Sequence, residues 1–352
     1  MDANNILNSK KEGNCGLIVK LIDIKSFYFF PKIFEQLSKK KSLEIIKYNK
    51  LFKKILNINI QDYKEYSEKY SSIKIEITPL ESNSGKFINI NNYPNYHVYF
   101  DNNKEEIKRN NLTENDNVKK VKIIIDYPVK SFRKLFLDCD CIKSIYFTKF
   151  NRNNINDMSL IFCGCNFIKE LNFSNFNTIN ITNMEYIFCD CFSIKKLDLS
   201  NFNTSNVSDM SNMFNMCTHL EELNLTNFDT TNLTNMNSMF YECSSLKELN
   251  LLNFDTKKIH DMSCLFYNCF SLKELNLSNF NVDNVTNIDC MFYGCSSLTK
   301  LNISNFHITK ETNFDNIFRE CSEELRIKIG HSEITPKEAY NYFYYYINND
   351  DY

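Results

Sequence analysis

"DMSNMFNMCTHLEELNLTNF" spans Asp209 to Phe228, and the chain returns to nearly the same words in "NMNSMFYECSSLKELNLLNF", Asn235 to Phe254. Met, Phe, Cys and Leu recur at the same offsets. The pattern is general. Phe136, Phe162, Phe188, Phe214, Phe240, Phe266, Phe292 and Phe318 follow one another at a constant period of 26, each opening an F-x-x-C that ends at Cys139, Cys165, Cys191, Cys217, Cys243, Cys269, Cys295 and Cys321. A second aromatic column runs from Phe150 to Phe306 at the same period. A fixed period without insertions is the mark of a repeat architecture, in which each unit buries its apolar side chains against its neighbours.

Within a unit the periodicity changes. Met210, Met213, Phe214 and Cys217 follow i, i+3, i+4, i+7, which predicts a short helix with one apolar face. Ser208 or Asp209 is placed to cap its first turn. Leu220, Leu223 and Leu225 then shift to L-x-x-L-x-L, whose alternating part suits a strand buried on one side. "TNFDTTNLT" turns the chain back, its Asn, Asp and Thr side chains serving the local backbone. Strands stack about 4.8 Å apart and bare helices about 10 Å. That mismatch predicts a curved solenoid with the strands on its concave side.

The units resemble BspA-like leucine-rich repeats, whose common form reads much like "VSDMSNMFNMCTHLEELNLTNFDTTN". The resemblance covers about residues 129–330. It implies an α/β fold, a curved leucine-rich-repeat solenoid made of a parallel strand ladder plus short helices. Members of that family look like binding or adhesion proteins, often surface-exposed, without a shared catalytic site.

Three regions are expected: an N-terminal α+β module over 1–128, a solenoid of seven to eight units over 129–330, and a capping helix over 331–352. In the first, "SFYFFPKIFEQL" and "SLEIIKYNKLFKKIL" read as amphipathic helices, and "SSIKIEI", "YHVYF" and "VKKVKIIID" as strands. Phe27, Phe30, Ile33, Phe34 and Leu37, followed by Leu43 and Ile46, loosely resemble an F-box, which implies a ubiquitin-ligase adaptor. The lysines from Lys39 to Lys54 read as a solvated helix face. At the other end Glu311 and Glu324 stand where earlier units carry apolar residues, "LRIKIG" reads as a last strand, and Thr335-Pro336 opens the capping helix.

Composition excludes several classes. The 43% apolar fraction supports a large core, and six Gly leave little room for a phosphate-cradling loop. Residues 1–130 carry 23 basic and 16 acidic side chains and the remainder 18 and 27, so neither part has the charge of a nucleic-acid binder. Lys20, Asp23 and Lys25 interrupt the only long apolar run near the start, so neither a signal peptide nor a membrane span is expected. The location expected is cytoplasmic, with surface exposure implied by the family resemblance.

No catalytic residue, metal or cofactor is expected. The Cys column shares a stripe with Met and Phe and reads as core. With successive members on helices about 10 Å apart, no disulfide is expected. The pairs Cys139/Cys141, Cys163/Cys165 and Cys189/Cys191 are C-x-C, not the C-x₂₋₄-C of zinc sites. The five histidines share no column, leaving a cysteine nucleophile without a base. Asn206, Asn232 and Asn284 head Asn-x-Ser/Thr acceptors, read first as turn residues.

What remains is the strand face. Glu170, Asn172, Glu222, Asn224, Glu248, Asn250, Glu274 and Asn276 project beside the buried leucines and form the candidate binding surface for a protein partner. A non-enzymatic protein-interaction scaffold is therefore the expected function. A ubiquitin-ligase adaptor and a surface adhesin are the alternatives.

Overall fold

Alternating Ile in "IKIEITP" and "VKIII" makes one-sided strands, and both occur where the alternation places them. In a computed structural model the residues described are 71–330, apart from 82–83, 91–95, 127–128 and 307–311, together with Gln61 and Glu65. The F-box-like stretch, the lysine run and the expected 331–352 helix lie outside the described residues. The chain divides into two compact units after Ser71, and the described strands and repeats all belong to the second.

Strands β1 (Ile73–Pro79), β3 (Tyr96–Phe100) and β5 (Val121–Ile125) join β6 (Ile142–Lys149) and β7 (Glu170–Asn172) in one sheet of order β3-β5-β1-β6-β7. Two short strands, β2 (Gly85–Lys86) and β4 (Asn111–Leu112), pair separately. β1 pairs antiparallel with both β5 and β6, and β6 pairs parallel with β7, Ile145 opposite Leu171. The antiparallel strands thus cover the edge that the first repeat would otherwise expose. Arg152, fully buried beside them, donates from Nη2 to the Ile125 carbonyl at 3.1 Å. One hydrophobic core runs from Ile73 to Ile329.

Further on, β8 (Lys196–Asp198) pairs parallel with β9 (Glu222–Asn224), and β10 (Glu274–Asn276) with β11 (Lys300–Asn302). Opposite these strands a second ladder links Ser131, Asp157, Asn183, Asp209, Asn235, Asp261, Asn287 and Asn313, each bridged in parallel to its equivalent in the next unit. The described residues thus make a mixed α/β structure with open sheets, rich in strand and turn and poor in helix.

The expected helix at Met210–Cys217 does not form. Met213, Asn215 and Cys217 donate to carbonyls three residues back, and Ser211 donates to the Asp209 side chain. Met210, Asn212, Phe214 and Met216 donate forward to carbonyls of the following unit, Phe214 to Met239 at 2.9 Å. No N–H is left for an i→i−4 bond. The path needs two left-handed residues per unit, and Asn212 (φ 55°) and Met216 (φ 58°) supply them here. Every unit places them at the same offsets, from Leu160 to Glu320. Because the flank expected to be helical is instead bridged backbone to backbone from unit to unit, the helix-against-strand mismatch expected to curve the stack does not arise. The column phenylalanines from Phe136 to Phe318 accordingly stack with nearly parallel rings, centroids 5.4–5.8 Å apart.

Side chains complete the ladders. Buried Thr178, Thr204, Thr230 and Thr256 each bridge a peptide group of the next unit. The Thr204 hydroxyl donates to the Asp229 carbonyl at 2.9 Å and accepts from the Asp229 N–H at 2.8 Å. Each column thiol from Cys165 to Cys321 donates to the Phe carbonyl 29 residues back, Cys217 to Phe188 at 3.1 Å. Asn206, Asn232 and Asn284 donate their amide nitrogens to carbonyls 27 residues back, all at 2.8 Å. A glycan on those nitrogens would take one of the two amide hydrogens and crowd those bonds.

"LRIKIG" is not a strand. Helix α1 (Glu323–Gly330) replaces it, starting at Ser322, whose hydroxyl accepts from the Leu325 N–H at 3.3 Å. Leu325 and Ile329 are buried and Ile327 is 53% exposed, the i, i+4 burial of a helix and not the alternation of a strand. Glu323 and Glu324 in the first turn and Lys328 in the last complement its dipole. No helix among the described residues is long and apolar enough to cross a membrane.

Two substitutions test this backbone. Thr204→Val leaves the part-buried N–H and C=O of Asp229 without that partner, so it costs about 1 kcal/mol in chemical denaturation, while Thr204→Ser keeps most of the stability. At the second left-handed column Gly294 (φ 70°) lies under the Asn268 side chain, 2.1 Å from where a Cβ would sit. Gly294→Ala therefore lowers the melting temperature. Glu242→Gly, at the same column, relieves a left-handed residue (φ 54°) and raises or preserves it.

Candidate binding surface

The strand face follows from alternation. Leu197, Leu225 and Leu275 turn inward and are buried, and their neighbours turn out. Of the expected surface residues Glu170, Glu222, Asn224, Glu248, Asn250, Glu274 and Asn276 are exposed and Asn172 is half-buried.

Their partners differ. The Asn172, Asn224, Asn250 and Asn276 side-chain oxygens accept the N–H two residues on, at 2.9–3.1 Å. Asp198 does the same to Ser200 at 3.0 Å. The position asks for an acceptor oxygen, which Asp and Asn both supply, so this column serves the turn that ends each strand. Glu222 pairs with Lys196 of the preceding unit at 2.6 Å, and Glu274 pairs with Lys300 of the following one. No ion pair joins Glu248 to another described residue.

At Glu248–Asn250 the ladder lapses: no strand pairing joins these residues to β9 or β10. A groove of about 790 Å³ opens there, and its lining includes Leu249, Leu275 and Leu301, the charged Glu248 and Lys300, and Leu325 and Ile329 of α1. Four of the eight expected residues, Glu248, Asn250, Glu274 and Asn276, line it. Glu170, Asn172, Glu222 and Asn224 do not.

The opposite, turn-lined side holds an aromatic ladder that sequence reasoning missed. Tyr241, Tyr267 and Tyr293 stack with ring centroids 4.5 and 4.6 Å apart, and the Tyr293 hydroxyl donates to Glu320. Burial pushes the Tyr241 phenol up to about 12; the bond to Glu320, then burial, does the same for Tyr293. Three tyrosines recurring at the repeat period were the available signal.

The thiols fall into two classes. Cysteines 139, 141, 165, 189, 191, 217, 243, 269, 295 and 321 are buried, and Cys163, Cys264 and Cys290 are half-buried. Burial pushes the Cys269 and Cys321 thiols up to about 12. Cys163 moves the other way, chiefly because the Cys189 thiol hydrogen-bonds to it. Cys163 and Cys189 occupy the same column of adjacent, backbone-paired units, as do Cys264 and Cys290. The helix-width separation expected between such neighbours therefore does not hold, because no helices intervene.

Under native conditions at neutral pH Cys163 is alkylated first among the described cysteines, since its lowered pKa gives it the largest thiolate fraction. Peptide mapping after a timed iodoacetamide pulse reads the order, and early labelling of Cys217 or Cys243 would contradict the packing. Among known proteins, no curated protein and no solved structure matches the chain. A family model described as "Mycoplasma protein of unknown function, DUF285" matches residues 130–250 and 245–344, more than half of the 352 residues. The chain belongs to that family, and the match coincides with the repeat units.

Proposed function

We propose that the chain is a non-enzymatic protein-interaction scaffold, a BspA-like leucine-rich-repeat solenoid that receives a polypeptide segment on its strand face. The observation that carries the reading is the groove at Glu248–Asn250, where the strand ladder lapses over an apolar floor. A chain segment laid there finds apolar contacts with half-buried Leu249 and Leu301 and a carboxylate, Glu248, with no lysine paired to it among the described residues. A segment combining aliphatic side chains with a basic residue complements that lining. Glu222 and Glu274 are held by Lys196 and Lys300, which limits their contribution to register and steering. The number of unpaired thiols suits a reducing compartment, in keeping with a cytoplasmic location.

Charge reversal tests the face. The variant Glu222→Lys, Glu248→Lys, Glu274→Lys keeps the buried leucines, so it folds with little loss of stability. In crosslinking from native cells it loses the partners that the unmodified chain captures. Undiminished capture contradicts the strand-face reading, as does capture lost on Tyr267→Ser and kept by the glutamate variant, which would move the contact to the tyrosine ladder.

A further inference from the structure

Cys163 and Cys189 are one period apart, and their units are joined by backbone bonds on either side of the pair: Phe162 N–H to the Ile187 carbonyl at 3.0 Å and Gly164 N–H to the Cys189 carbonyl at 2.9 Å. Side chains at one register of hydrogen-bonded backbones stand about 4.8 Å apart at their origins. Asp190 adds a carboxylate, whose Oδ2 lies 3.4 Å from the Cys189 sulfur. The two sulfurs and one carboxylate oxygen all lie within 4.8 Å of one another, the one such group of three among the described residues. Donors in a tetrahedral shell with bonds of about 2.0–2.3 Å sit roughly 3.5 Å apart, so small rotamer adjustments close the set.

A further carboxylate stands beside the group. At the column of Asp190 the preceding unit has Gly164 (φ 73°), and the space of its missing Cβ is taken by Asp138, whose Oδ1 would lie 2.2 Å from that atom. The exposed Asp138 carboxylate thus leans over Gly164, the neighbour of Cys163. Cys264 and Cys290 repeat the thiol spacing without forming such a group with a carboxylate.

We propose that Cys163, Cys189 and Asp190 bind a thiophilic divalent cation of the zinc class, with Asp138 or water completing the shell. The ion cross-links two adjacent units through side chains, at a place where the repeat departs from its usual residues. The site is independent of the strand-face groove.

The test uses the full chain, reduced and stripped with a chelator, titrated with Cd²⁺ while thiolate-to-metal charge transfer is read in the ultraviolet. One equivalent saturates the signal and Zn²⁺ displaces it. Cys163→Ser/Cys189→Ser abolishes it, Cys264→Ser/Cys290→Ser keeps it, and Asp190→Asn weakens binding roughly tenfold or more, as loss of groups supporting a metal does. Absence of a saturable signal, or its persistence in Cys163→Ser/Cys189→Ser, overturns the site. A second reading needs no variant: Zn²⁺ slows alkylation of Cys163 in the unmodified chain and leaves Cys264 and Cys290 unchanged. Equal rates at Cys163 with and without Zn²⁺ overturn it as well.

Discussion

Backbone amides that reach forward to the next unit govern everything else in the repeat region. Phe214 donates to Met239 and Met216 to Tyr241, while the intervening amides close tight turns within their own unit. This division uses the N–H groups that a helix would need. It requires left-handed backbone at non-glycine residues, a cost of roughly 1–2 kcal/mol each that the ladder bonds must outweigh. It also sets a strand-like spacing on that flank, so Phe stacks on Phe and Cys reaches the carbonyl behind it.

That constraint explains the composition. Oxygens of Asn or Asp stand two residues before an N–H at several offsets in each unit: Asn203 to Ser205, Asp209 to Ser211 and Asn224 to Thr226. Amides of Asn206 and Asn227 reach back to the preceding unit at 2.8 Å. The abundance of Asn therefore follows from the number of turns per unit. Cys is suited to its column because it is small, apolar and still able to donate to a carbonyl.

The period, the inward columns and the strands at Ile73–Pro79, Tyr96–Phe100 and Val121–Ile125 were legible in the sequence. The helix at Met210–Cys217 was not distinguishable from what forms. Spacing of i, i+3, i+4, i+7 reports which side chains face inward, and consecutive tight turns give the same spacing with different hydrogen-bond partners. The first left-handed column carries Leu160, Tyr186, Asn212, Ser238 and Cys264 in turn, and the second has glycine only at Gly164 and Gly294, so glycine does not mark the pattern. At "LRIKIG" the alternation misled because Ser322 caps a helix whose Ile327 faces solvent. The surface glutamates were legible by position, whereas the lapse in pairing at Glu248–Asn250 has no local signature. The Cys163, Cys189 and Asp190 cluster was hidden by the helical spacing assumed for the units.

Scalar coupling across hydrogen bonds in the deuterated, ¹⁵N,¹³C-labelled chain tests the central claim most directly, because it identifies donor and acceptor together. Coupling from the Phe214 amide nitrogen to the Met239 carbonyl carbon, repeated from Phe240 to Leu265 and Phe266 to Met291, is the result this backbone predicts. Coupling from Phe214 to the Met210 carbonyl carbon would mean a helix, and would contradict it.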